Sequence, residues 1–150
     1  MIKPLHHRNP KIGTMIFDVF QKSYAIEAAL LNCDDFPPLK RSIHAIQHSE
    51  TSFFGYYTDQ LLCAVMELEI YSNHIHVRSL TVEPNYFRQG IGYGLLQFVI
   101  DEFRPRLITV ETGHANHPAV NFYLNFGFKK DKVFMTEVGI EKISFSLETP

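Results

Sequence analysis

Leu80-Thr81-Val82-Glu83-Pro84-Asn85-Tyr86-Phe87-Arg88-Gln89-Gly90-Ile91-Gly92-Tyr93-Gly94-Leu95-Leu96 is the stretch whose reading decides the fold. Val77 to Val82 is rich in residues that suit a strand, whereas Ile91, Leu95, Phe98, Val99 and Phe103 follow the helical period. The three glycines therefore stand at a helix N-terminus. Helix starts usually carry Ser, Thr, Asp or Asn to satisfy the first amides, and acids to offset the dipole. Between Asn85 and Asp101 there is neither a carboxylate nor a Ser or Thr. Alternating glycines alone serve tight packing and ligand approach equally well. The missing caps favour bare amides, with Arg88 beside them, as a cradle for phosphate or pyrophosphate.

Working outward, strands flank this turn on both sides. Ser52 to Tyr57, Leu61 to Tyr71 and His74 to Glu83 are extended runs on short turns at Thr58-Asp59-Gln60 and Ser72-Asn73, an antiparallel meander. Pro105 ends the helix, and Leu107 to Thr112 is a strand reached through it, hence parallel to the strand before the turn with a right-handed crossover. Asn116-His117-Pro118 opens a second helix carrying Ala119, Phe122, Tyr123 and Phe126, with Gly127 as its C-terminal cap. Two last strands, Phe128 to Thr136 and Ile140 to Leu147, bend at Val138-Gly139. Upstream, Lys11 to Leu31 carries an apolar stripe of one long helix or a broken pair. The prolines at 37 and 38 break it, and a shorter helix is expected over Leu39 to His48. Met1 to Asn9 has room for a short edge strand. The expectation is an α+β fold with a mixed, mostly antiparallel sheet and one parallel β-α-β pair.

The 150 residues fit one domain, 1–150, with a core that needs no metal or disulfide. A net charge of -2 without long runs of one sign argues against nucleic acid as a partner. No apolar run approaches a membrane span. Cys33 and Cys63 lie outside any C-x-x-C pair and read as buried thiols of a reducing, cytoplasmic compartment. His74 and His76 share a strand face but lack a third ligand, so no metal site is expected. Glu67 and Glu69 are reserve carboxylates of an acceptor cleft, and Phe17, Phe20, Tyr24, Phe36 and Tyr57 are aromatics for such a cleft or for the core.

A dinucleotide-binding unit is the rival for the glycine turn, since Glu111 ends the next strand near the place of a ribose-binding acid. Its glycines, however, run G-x-G-x-G, and only one β-α-β unit is present. A kinase-type P-loop lacks its Gly-Lys-Ser/Thr.

Leu80-x-Val82-x-Pro84, Arg88-Gln89-Gly90-Ile91-Gly92-x-Gly94-Leu95-Leu96, Glu111-Thr112-Gly113, Asn116, Ala119, Phe122-Tyr123 and Gly127-Phe128, in that order and spacing, resemble the GNAT superfamily of acyl-CoA-dependent N-acyltransferases. One departure is Phe87, where the family often has Arg or Gln. The resemblance implies helices on both sheet faces and a parallel pair that splays apart at the cofactor. It implies acetyl-CoA, or another short acyl-CoA, as cosubstrate: its pyrophosphate on the amides from Gln89 to Gly94, including Ile91 and Tyr93, and its pantetheine arm along Leu80, Thr81 and Val82. A main-chain amide near Val82 would polarise the acyl carbonyl, and Asn116, Ala119 and Phe122 would flank the arm. Tyr123 is the implied proton donor to the leaving thiolate. Glu111 matches the base glutamate of the ribosomal-protein N-terminal acetyltransferases in this family, with a strand-end or helix-capping carboxylate as the alternative. The implied reaction is direct acetyl transfer to a primary amine of a small molecule, amino acid or peptide N-terminus, by a monomer or homodimer. The competing reading is a non-catalytic acyl-CoA-binding or sensing domain.

Overall fold

The structure, a computed structural model, describes residues 1–150. Seven strands form one sheet: β1 (Ile2–Leu5), β2 (Ser52–Thr58), β3 (Leu61–Ile70), β4 (His74–Val82), β5 (Leu107–Gly113), β6 (Lys129–Met135) and β7 (Glu141–Glu148). Their spatial order is β1-β2-β3-β4-β5-β7-β6, and every pairing is antiparallel except β4 with β5. The expected meander, edge strand and parallel pair are therefore present. The last hairpin folds back, so that β7 lies against β5 and β6 is left at the edge.

Four α-helices complete the chain: α1 (Pro10–Leu30), α2 (Ile43–Gln47), α3 (Ile91–Phe103) and α4 (His117–Phe126). The alternation of strand side chains sends two sets of apolar residues to opposite faces. Ala64, Met66, Ile75, Val77, Ile108 and Val110 meet Leu95, Leu96 and Val99 of α3 and Val120 and Tyr123 of α4 in the larger core. Leu5, Phe53 and Val65 meet Ile16, Val19 and Phe20 of α1 and Ile46 of α2 in the smaller one. A third cluster, Ala28, Phe36 and Ile140, ties the segment after α1 to the β6–β7 turn. No helix is long and apolar enough to cross a membrane.

α1 is one continuous helix. Asn9 starts it, its side chain accepting from the main-chain N–H of Lys11 at 2.9 Å and of Ile12 at 3.3 Å. We expect Asn9→Ala to cost about 1 kcal/mol and to lower the calorimetric Tm by about 2–4 °C. The second helix is shorter than its pattern: Pro37–Lys40 makes a 3-10 turn, Arg41 is extended, and the Ser42 side chain accepts from Ala45 N–H to begin α2 afresh. Cys63 is fully buried as expected, but Cys33 is only partly so, because it lies on the turn leaving α1 at the margin of the third cluster.

Glu67 and Glu69 share one face of β3, since Ala64, Met66 and Leu68 alternate onto the other, and the bulge in the β3–β4 pairing falls on β4, at Arg78, whose guanidinium lies 3.9 Å from Glu67 and 3.7 Å from Glu69. Glu67 has no exposed surface and receives both Arg41 guanidinium nitrogens, at 2.6 and 2.9 Å. Glu69 accepts from the Tyr71 hydroxyl at 2.9 Å. Phe20 and Phe36 are core side chains, with Phe17, Tyr24 and Tyr57 packed against them.

Candidate active site

The parallel strands pair only from His74 opposite Leu107 to Val77 opposite Val110. Beyond that point β4 continues to Val82 and β5 to Gly113, each held on its outer edge, by β3 and β7 respectively. The two strands thus diverge into a fork. Hydrogen-bonded and non-bonded pairs alternate in an antiparallel ladder. Glu83 N–H donates to the Cys63 carbonyl at 2.8 Å, so Thr81 is the next residue bonded to β3, opposite Val65. The main-chain groups of Leu80 and Val82 consequently turn toward the fork. Thr81 is committed elsewhere, its hydroxyl donating to the Val65 carbonyl at 3.2 Å.

The glycine turn bounds one end of the fork. Arg88 and Gly90 both adopt left-handed backbone, φ 63 and φ 76, which redirects the chain into α3. Gly90 has no side chain with which to cap the helix, and its first turn holds no acid. Gly94 is the first residue to donate within the helix, to the Gly90 carbonyl at 3.0 Å. The N–H groups of Ile91, Gly92 and Tyr93 therefore lack helical partners. Gly94 itself offers only open space, for a Cβ there would meet nothing within 4 Å.

Across from this turn, Asn116 caps α4 by accepting from Ala119 N–H at 3.3 Å. Val120 and Tyr123, three residues apart, share the face that meets the sheet. Tyr123 is 5% exposed and packs against the rings of Phe122, Phe128 and Phe145. Burial pushes its phenol well above the ordinary value, and the nearby Glu27 carboxylate and Tyr24 push it further. At neutral pH this phenol holds its proton.

A cleft of about 670 Å³ joins these parts, within the usual range for a small-molecule site. Leu80, Val82, Arg88, Gly90, Ile91, Gly92, Tyr93, Asn116, Ala119, Phe122 and Tyr123 line it together. Thr81, Gln89, Gly94 and Glu111 do not. Phe87, the departure from the family pattern, is 44% exposed on the cleft wall.

Glu111 is the first β5 residue beyond the paired segment and is exposed. Since Ile108 and Val110 enter the core beneath α3 and α4, Glu111 points to the other sheet face. There it neighbours Thr109, whose hydroxyl lies 2.7 Å from His74 Nε2 and 2.8 Å from His76 Nδ1. Burial lowers the His76 imidazole, against the opposing pull of Glu69 and Glu111. Tyr123 and Glu111 thus stand on opposite sides of the fork.

One charged cleft residue escaped the sequence reading. Glu27 of α1 reaches across to β5 and α4: its Oε2 accepts from the Thr112 hydroxyl at 3.1 Å, from Asn116 Nδ2 at 3.1 Å and from Gly113 N–H at 3.5 Å. The available signal was a single charge within the apolar run Ala25-Ile26-Glu27-Ala28-Ala29-Leu30.

A family model described as the Acetyltransferase (GNAT) family matches residues 14–128. The chain belongs to that family. Among its relatives and neighbours, the UPF0157 protein YqkA of Bacillus subtilis is 34% identical over 141 residues, which cover 93% of this chain and 41% of YqkA. The chain thus spans less than half the length of that relative. The [ribosomal protein bS18]-alanine N-acetyltransferase of Salmonella typhimurium is 25% identical over 118 residues, covering 68% of this chain and 80% of the enzyme. In structure, the PaiA N-acetyltransferase of Thermoplasma acidophilum, solved with coenzyme A, superposes with a TM-score of 0.79 at 18% identity, over 99% of this chain and 98% of that one. These likenesses agree with the mixed sheet and its single parallel pair.

Proposed function

We propose that this GNAT domain transfers an acetyl group from acetyl-CoA directly to a primary amine of a small molecule, amino acid or peptide N-terminus. The observation that carries the reading is one cleft combining the uncapped start of α3, the inward-turned amides of a strand fork and a buried, protonated phenol. The pyrophosphate would rest on the N–H groups of Ile91, Gly92 and Tyr93 with Arg88 alongside, and the pantetheine arm would run along Leu80 and Val82. Amine nitrogen attacks the thioester carbon, and the Val82 N–H receives the charge that develops on oxygen. As the C–S bond breaks, sulfur keeps the electron pair and takes the proton of Tyr123. The proton lost by the amine passes to Glu111 through the fork or to water. The relatives' own names support an amine acceptor, since one acetylates a ribosomal-protein alanine.

Incubating the protein with acetyl-CoA and a panel of amines, with released thiol titrated, tests the proposal. Turnover with at least one amine is expected, without a burst. Tight acetyl-CoA binding with no transfer to any acceptor would instead favour a sensing domain.

The glycine cradle has its own test. A methyl group at Gly92 would lie 3.1 Å from Phe122 Cζ, crowding a ring that lines the cleft. Gly92→Ala is expected to weaken coenzyme A binding about tenfold, a loss of ~1.4 kcal/mol, as measured by calorimetric titration. Unchanged affinity would mean that the diphosphate lies elsewhere.

A further inference from the structure

Of the side chains that line the cleft, two carry charge, Arg88 and Glu27. Arg88 belongs to the glycine turn, where a diphosphate needs a cation. Glu27 comes from the α1 wall, close enough to Tyr123 and Tyr24 that its charge adds to burial, the larger cause, in raising both phenols. The carboxylate is asymmetric. Oε2 accepts all three hydrogen bonds from β5 and α4, whereas Oε1 accepts none and is not buried. Around it on α1, Ile26 and Leu30 bring exposed apolar surface to the cleft, and Ser23 is the one other polar side chain of α1 that reaches it.

A tether between α1 and β5 explains the bonded oxygen, and a neutral amide would serve it equally well. It does not explain a charge, with one oxygen left free of hydrogen bonds, on a residue that lines the same cleft as the phenol. We propose that Glu27 is the acceptor-binding residue of this site, its Oε1 receiving the ammonium of a cationic primary amine carried on an apolar group. This rests on the acetyl-CoA reading above and names the acceptor chemistry that reading leaves open. Once the ammonium has lost one proton, the neutral amine keeps an N–H on Oε1, and its lone pair is free to face the thioester carbon. Hydroxyl acceptors gain no comparable ion pair and bind less well.

The test needs no knowledge of the natural acceptor. S-(2-aminoethyl)-coenzyme A carries an ammonium near the position of the attacking nitrogen, and S-propyl-coenzyme A is its neutral counterpart. Calorimetric titration of the wild-type protein is expected to show at least about tenfold tighter binding of the charged analogue. In Glu27→Gln, which retains an oxygen to accept the three hydrogen bonds, that preference is expected to disappear. In Thr112→Val, which removes one tether donor and keeps the charge, the preference should persist. Equal binding of the two analogues by the wild type, or a preference that survives Glu27→Gln, overturns the assignment while leaving the acyl-CoA reading intact. Loss of the preference in Thr112→Val to the same extent as in Glu27→Gln also overturns it, because the tether would then be the cause. Failure of both analogues to bind the wild type refutes the acyl-CoA reading itself, and this inference with it.

Discussion

Tyr123→Phe is expected to lower kcat by at least about 100-fold, since a positioned proton donor contributes roughly 10²–10⁴. The ring packs against Phe122, Phe128 and Phe145, and phenylalanine preserves those contacts. The Tm and the KM for acetyl-CoA should therefore change little. The loss falls on the step in which thiolate departs, so kcat and kcat/KM should fall together. A variant that retains a tenth or more of wild-type kcat in the thiol-release assay would show that sulfur acquires its proton elsewhere. Glu111→Gln provides the contrast: if Glu111 is the base, its loss should be largest at low pH, where the amine is most fully protonated.

The second large effect concerns stability. Arg41→Met removes the bidentate partner of a carboxylate that has no exposed surface. What remains on Glu67 is the Thr51 hydroxyl at 2.6 Å, Ser79 at 3.2 Å, Ser49 at 3.4 Å, and Arg78 Nε at 3.9 Å. Breaking a buried pair from one side costs about 3–5 kcal/mol. With these remaining partners, the lower end is expected, a fall in Tm of roughly 6–12 °C. Exchanging both members for apolar residues, Arg41→Met with Glu67→Leu, should recover most of the loss, and a double variant no better than the single would contradict this account.

The same pair sets an acid limit. Burial alone would raise the Glu67 carboxyl, but the Arg41 and Thr51 hydrogen bonds and the charges of Arg41 and Arg78 outweigh it and hold the group below its ordinary value. A depressed folded value means a contribution that is complete above the unfolded value, near pH 4.3, and is lost as pH falls through the folded one. Urea midpoints of the wild type should drop across that acid window. In Glu67→Gln this component of the drop should be absent.

The parts of the fold that repeat locally were legible in the chain. The meander, α3 and α4 announce themselves by periods of two or 3.6 and by Asn116, Gly127 and the prolines. The glycine turn was legible for the opposite reason, as a helix start without the residues that normally begin one. The order β5-β7-β6 was not, because the alternation of Ile143, Phe145 and Leu147 fits either neighbour of β5. Nor was the break before α2, where Pro37-Pro38 favour a 3-10 turn and Ser42 has to restart the helix. Glu27 remained hidden because its partners lie 85, 86 and 89 residues away. The side to which Glu111 points was readable in principle, since Ile108 and Val110 are apolar at alternate positions. The strand-end position suggested chemistry without indicating which face of the sheet it served.

Because β7 is inserted between β5 and β6, ribosomal synthesis imposes a timetable on this molecule. Until Glu141–Glu148 have emerged, one border of β5 has no neighbour, and a nascent chain carrying the glycine turn, α4 and Tyr123 still lacks the strand that braces the fork. A chain stopped after Gly139 should accordingly expose that border to other chains and aggregate. Coenzyme A should rescue solubility only once the β7 segment is supplied.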